Sequence, residues 1–113
     1  MKIEINKKPR KFKVGIKKVT LKHYGEIYLN NNNQVTFKNK KSEFDIVKKN
    51  WGYYATPSIN HRLKKFGFRT FLIKNEKNKF YIFLVHINKM KNFKKYCKDD
   101  KQKIILELTN GID

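Results

Sequence analysis

Lys79-Phe80-Tyr81-Ile82-Phe83-Leu84-Val85-His86-Ile87 is apolar at both alternating sets of positions: Phe80, Ile82 and Leu84 on one side, Tyr81, Phe83 and Val85 on the other. A strand that is apolar on both sides belongs in the middle of a sheet. Working outward, Asn75-Glu76-Lys77-Asn78 is turn chemistry, and Phe68–Lys74 before it reads as a strand. Further upstream, Thr56-Pro57 reads as a helix start, with Thr56 as N-cap and Pro57 at the first helical position. Ile59, Leu63 and Phe66 then follow at helical spacing, and Gly67 supplies the C-terminal cap. Downstream, Asn88 caps a second helix carrying Met90, Phe93, Tyr96 and Cys97, Asp99-Asp100 turns the chain, and Lys103–Thr109 is a last strand. Glu43–Lys49 is a strand with Phe44 and Ile46 facing inward.

In order, residues 43–109 therefore read β-α-β-β-α-β, the split βαβ or ferredoxin-like arrangement, an α+β fold with two helices on an antiparallel sheet. The 79–87 strand falls third, a central position in that topology. Residues 1–40 read as two N-terminal β-hairpins. One pairs Ile3 and Ile5 with Phe12 and Val14 around Asn6–Arg10. The other pairs 26–29 with 34–38 around the Asn run at 30–33. A β-rich, partly closed barrel with peripheral helices is the alternative. At 113 residues, with no Pro/Gly/Ser-rich linker and no internal repeat, one domain spanning 1–113 is expected.

There are 28 Lys+Arg against 9 Asp+Glu, a formal net charge of +19, which directs attention to nucleic acid or an anionic surface. The composition argues for another origin. Lys, Asn, Ile, Phe and Tyr make up 65 of the 113 residues, and all five are encoded by A/T-rich codons. Lys outnumbers Arg 25 to 3 and is scattered along the chain, whereas phosphate recognition favours the planar Arg fork. Any nucleic-acid binding is expected to be weak, sequence-blind and steeply salt-dependent. No apolar run approaches the ~18 residues of a transmembrane helix. The first residues lack the apolar core of a secretory signal, and Cys97 stands alone, so a cytoplasmic protein without disulfides is expected.

Known chemistries find little material. RNA-recognition modules share the βαββαβ order and stack bases on aromatic strands, but the 79–85 run lacks both glycines of their third-strand pattern. Phe80, Tyr81 and Phe83 read as core instead. His23, His61 and His86 are far apart in sequence, and no acidic cluster suits a divalent cation. Cys97 lies on the apolar side of its helix and reads as a buried, inert thiol. Glu43, Asp45 and Glu107 are the only acids placed in strands, and there is no G-x-G-x-x-G, P-loop or G-x-S-x-G. No metal, cofactor or catalytic residue is expected.

The compositional outlier is Trp51–Leu63, which has no Lys and no acid in a chain that is 33% charged. It holds Trp51, Gly52, Ala55, Pro57 and Arg62, residues that A/T pressure on codons tends to remove. Trp51 is expected to anchor the loop in the core, and Gly52 to permit a tight or left-handed backbone. Tyr53 and Tyr54 offer stacking faces, Thr56, Ser58 and Asn60 offer short donors and acceptors, and His61 and Arg62 offer charge. At a helix N-terminus this set suits an anionic small ligand, a phosphate or a sugar, or a protein partner. A capped turn with a Trp anchor is the purely structural alternative.

The run D-I-V-x-K-x-W-G-Y-Y-A-T-P-S-I-N-x-R-L resembles a family of small bacterial proteins of unassigned function. Here it is Asp45-Ile46-Val47, Lys49, Trp51 to Asn60 and Arg62-Leu63. Similarity extends to Phe66–Asn75, Tyr81–Val85, Met1–Ile5 and Tyr24–Ile27. Members are less basic than this chain and often sit beside genes for surface-polysaccharide or nucleotide-sugar synthesis. The resemblance implies an accessory role in glycan assembly by neighbourhood and carries no mechanism. The expected function is thus a small non-enzymatic accessory or interaction protein. A basic RNA or single-stranded DNA binding module is the alternative, and a small enzyme acting on a sugar or phosphate substrate the third.

Overall fold

The computed structural model describes residues 1–112. The chain is α+β, with antiparallel strand pairing throughout and two α-helices. Eight strands form three sheets. β1 (Lys2–Val14) pairs with β2 (Val19–Tyr28); β3 (Gln34–Asn39), β4 (Ser42–Lys49) and β5 (Gly52–Ala55) form the second sheet; β6 (Phe68–Lys74), β7 (Phe80–His86) and β8 (Lys103–Glu107) form the third, in the order β7-β6-β8. The helices are α1 (Arg62–Lys65) and α2 (Met90–Asp99), the latter preceded by a 3₁₀ turn at Ile87–Lys89.

This is not the ferredoxin-like sheet expected over 43–109. That topology needs β4 beside β7. Both edges of β4 are already taken, by β3 from Gln34↔Val47 to Asn39↔Ser42 and by β5 from Ile46↔Ala55 to Lys49↔Gly52. The decisive element is β5, a strand where the composition of Trp51–Leu63 suggests a loop. A two-residue turn, Asn50-Trp51, folds it back onto β4. β6 is then the central strand of the third sheet, and β7 lies at its edge. The two apolar faces of β7 have different fates. Phe83 and Val85 turn toward α2, whereas Phe80 and Ile82 remain 57% and 58% exposed.

The core is small. Phe71, Ile73, Val85, Phe93 and Cys97 form its cluster, joined by Phe83 and Met90, as the α2 stripe Met90, Phe93, Cys97 packs onto one face of the third sheet. Leu63 of α1 is 2% exposed, and α1 touches both β6 and β4, so this short helix links the second and third sheets. Cys97 is buried, and burial pushes its thiol above the ordinary value.

The N-terminal hairpins also differ from expectation. Asn6–Arg10, expected as a turn, lies within the long β1: Asn6–Pro9 bulge, four residues facing Tyr24 alone between Ile5↔Gly25 and Arg10↔His23. The true turn is at Gly15–Lys18, where Lys18 N donates to Gly15 O. The Asn30–Asn33 turn does not close a hairpin between 26–29 and 34–38; it carries the chain from β2 into the second sheet, where Asn32 N donates to Lys48 O. The β1–β2 turn docks on the end of α2. Ile16 N donates to Asp100 Oδ1 at 2.6 Å, and Lys17 pairs with Asp99 at 2.8 Å. Glycine is favoured at 15, because its φ is +76° and a Cβ there would lie 2.6 Å from Asp100 Oδ1. No helix among the described residues is long and apolar enough to cross a membrane.

Candidate functional site

The segment Trp51–Arg62 separates into three parts. The first is the β4–β5 hairpin tip. Trp51 is 67% exposed, so it is not the core anchor expected of it. Its ring stacks on Tyr54 with centroids 6.0 Å apart and planes 20° apart. Tyr54 pairs with Val47 and Tyr53 with Lys48, so strand alternation sends the two tyrosines to opposite faces. The Lys48 ammonium lies 5.5 Å from the Tyr53 ring centroid, a cation–π contact. Gly52 does what its sequence context suggests: its φ is +146°, with open space where a Cβ would stand.

The second part is a polar knot around Asp45, which is only 4% exposed. Its Oδ1 accepts from Thr36 Oγ1 at 2.5 Å, and its Oδ2 accepts from Arg62 Nη2 at 2.8 Å and Thr56 Oγ1 at 3.2 Å. The Asp45 carbonyl accepts from Thr56 N at 3.0 Å. The hydroxyl of Thr36 and the guanidinium of Arg62 hold the carboxyl below its ordinary value, against the opposing effect of burial. One carboxylate thereby ties β3, β4, the chain leaving β5, and α1. The strand phase differs from expectation accordingly. Asp45 and Val47 are the buried pair, whereas Phe44 and Ile46 are half-buried. Thr56 and Arg62, read as N-cap and ligand contact, are structural partners of Asp45.

The third part replaces the expected helix start. Pro57 is buried and begins no helix; α1 starts at Arg62 and spans four residues. His61 is the N-cap without a capping side-chain bond, and Ser58 takes up the N–H groups at the helix start. Its Oγ accepts from Arg62 N at 3.3 Å, and its carbonyl accepts from His61 N at 3.4 Å and Leu63 N at 3.0 Å. The outward row of helix N–H groups expected after Thr56-Pro57 is therefore absent. Asn60 and His61 are exposed. Surface clefts of 230–340 Å³ lie elsewhere, at the β1–β2 turn, beside Arg69–Glu107, and between the β3–β4 turn and the end of β7.

Sequence reasoning missed Asp45. The available signal was an acid in a strand, 17 residues before an arginine in a chain with only three. It also missed the extent of exposed apolar surface. The accessible area is 8974 Å², whereas a compact monomer of this mass exposes about 6,600 Å². The radius of gyration is 15.8 Å, against about 13 Å for a compact chain of this length. Ile3, Ile5, Leu21 and Ile27 on the first sheet, Phe37 and Tyr53 on the second, and Phe80, Ile82 and Leu106 on the third are each at least 43% exposed. Among the described residues no group of three His, Cys, Asp or Glu could hold a metal ion. Comparison with family models, curated proteins and solved structures found no match for this chain.

Proposed function

We propose that this chain is a small accessory protein that works by association with a protein partner, using the Trp51–Tyr54 tip and the open apolar sheet faces as its contact surface. The observation that carries this is the unburied area. The chain exposes 8974 Å², roughly 2,400 Å² more than a compact monomer needs. A standard protein interface takes only about 800 Å² from each partner. Exposed Trp and Tyr are the side chains that most often anchor such interfaces, because they bury much area at little entropic cost. β7, with Phe80 and Ile82 exposed, also lies at a sheet edge, where a partner strand can pair. The resemblance to small bacterial proteins encoded beside surface-polysaccharide genes suggests a cytoplasmic assembly for glycan synthesis as the setting.

Basic nucleic-acid binding is a second reading, favoured by the exposed Trp51–Tyr54 stack and the net charge of +19. Affinity capture from the native cell, with nuclease and at two salt concentrations, separates the two. The account predicts a stoichiometric protein partner that survives nuclease and 0.5 M salt and is lost in the folded Trp51→Ala/Tyr54→Ala variant. Material that disappears with nuclease or salt, unaffected by the double substitution, supports the nucleic-acid reading instead.

A further inference from the structure

We propose that the cleft between the β3–β4 turn and the end of β7 binds a terminal phosphate group, as in pyrophosphate or a small phosphate monoester. The cleft has a volume of about 270 Å³ and is lined by Asn39, Lys40, Lys41 and Ser42 from one segment, Phe66, and His86, Asn88 and Lys89 from another. Of five clefts of comparable size among the described residues, the other four each carry a carboxylate: Asp99, Asp100, Glu76 or Glu107. This one carries none, so its three lysines face the cleft with no carboxylate in the lining to compensate them. Glu43, the next residue along β4, is held by Lys38 at 3.0 Å.

The two sides of the cleft are fixed to each other. The side-chain amide of Asn39 meets His86 Nε2 at 3.3 Å, across 47 residues of sequence. The His86 ring lies 4.4 Å from the Phe68 ring, and Ser42 Oγ donates to Asn39 O at 2.8 Å, which pins the turn carrying Lys40 and Lys41. Three lysines and Asn88 lining one cleft without an acid supply cationic and amide donors of the kind a phosphate accepts from. A terminal phosphate, carrying close to two charges, gains more from three lysines than an internal phosphodiester with one. The half-buried Phe66 offers an apolar wall for the group that carries the phosphate.

The test is titration of the full chain with pyrophosphate in 0.15 M NaCl, read by ¹H–¹⁵N spectra. Saturable shifts are expected at residues 39–42 and 86–89. Lys40→Gln/Lys89→Gln should weaken binding about tenfold, and Lys7→Gln/Lys8→Gln, an equal charge loss on the β1 bulge, less than about twofold. If the cleft variant loses its native spectrum, the single Lys89→Gln carries the comparison. Equal weakening by the two variants, shifts spread over lysines everywhere, or no saturation overturns the proposal. So does equally tight binding, on the same amides, of a dinucleotide that has only an internal phosphodiester.

Discussion

Asp45 is the residue on which the local architecture turns. Three side-chain donors converge on a carboxylate that is 4% exposed. Asp45→Asn keeps the shape but removes the charge and one acceptor oxygen. It should cost about 2 kcal/mol at pH 7, measured by urea unfolding, since hydrogen bonds to charged groups contribute about 1.5–3 kcal/mol and the half-exposed Arg62 is partly screened. The pH dependence has a definite sign. Folding lowers the Asp45 value below 3.8, so the stability it adds is complete above that pH and disappears as pH falls through the folded value. Glu107, held to about 2 chiefly by Arg69, acts in the same direction from its ordinary 4.5 downward. The wild type should therefore lose stability as pH falls from about 4.5 to 2, and the difference between wild type and Asp45→Asn should shrink as pH falls below 3.8. Trp51→Ala, by contrast, should change stability by less than about 0.5 kcal/mol, because the ring is two-thirds exposed. Gly52→Ala should cost about 1–3 kcal/mol through backbone strain alone, since its φ is +146° and no neighbour obstructs a methyl group.

At the scale of elements, much of the order of strands and helices was legible, because local patterning writes it. Phe68–Lys74, the strand Phe80–His86, and Met90, Phe93 and Cys97 of the second helix lie where their periodicity places them, whereas Tyr96 of the same expected stripe is 43% exposed. Pairing was not legible. Thr56-Pro57 carries a helix-start signal, yet Thr56 is captured by Asp45, 11 residues earlier, and the helix starts only at Arg62. Asn6–Pro9 carries a turn signal, yet the same residues bulge from a continuous strand. Each signal names a backbone tendency; which of its possible uses wins is decided by a contact distant in sequence. In the candidate segment, Gly52 takes the positive φ its context suggests, whereas Trp51 lies on the surface rather than in the core and Thr56 and Arg62 are tied to Asp45. The β1–β2 hairpin gives a test at this scale. It is fastened at its turn by Asp100 and Asp99, so Asp100→Ala should raise amide exchange across β1 and β2 while leaving β6 protected.

For the whole molecule, the decisive quantity is surface. A net charge of +19 makes copies of the chain repel one another, which opposes self-association through its exposed isoleucines and aromatics. The most direct measurement places a photo-crosslinking amino acid at Trp51, with Lys7 on the β1 bulge as control, and irradiates the native cell. The account predicts one discrete, nuclease-resistant protein adduct from position 51, and little from position 7. No protein adduct from position 51, or an adduct that nuclease removes, contradicts it.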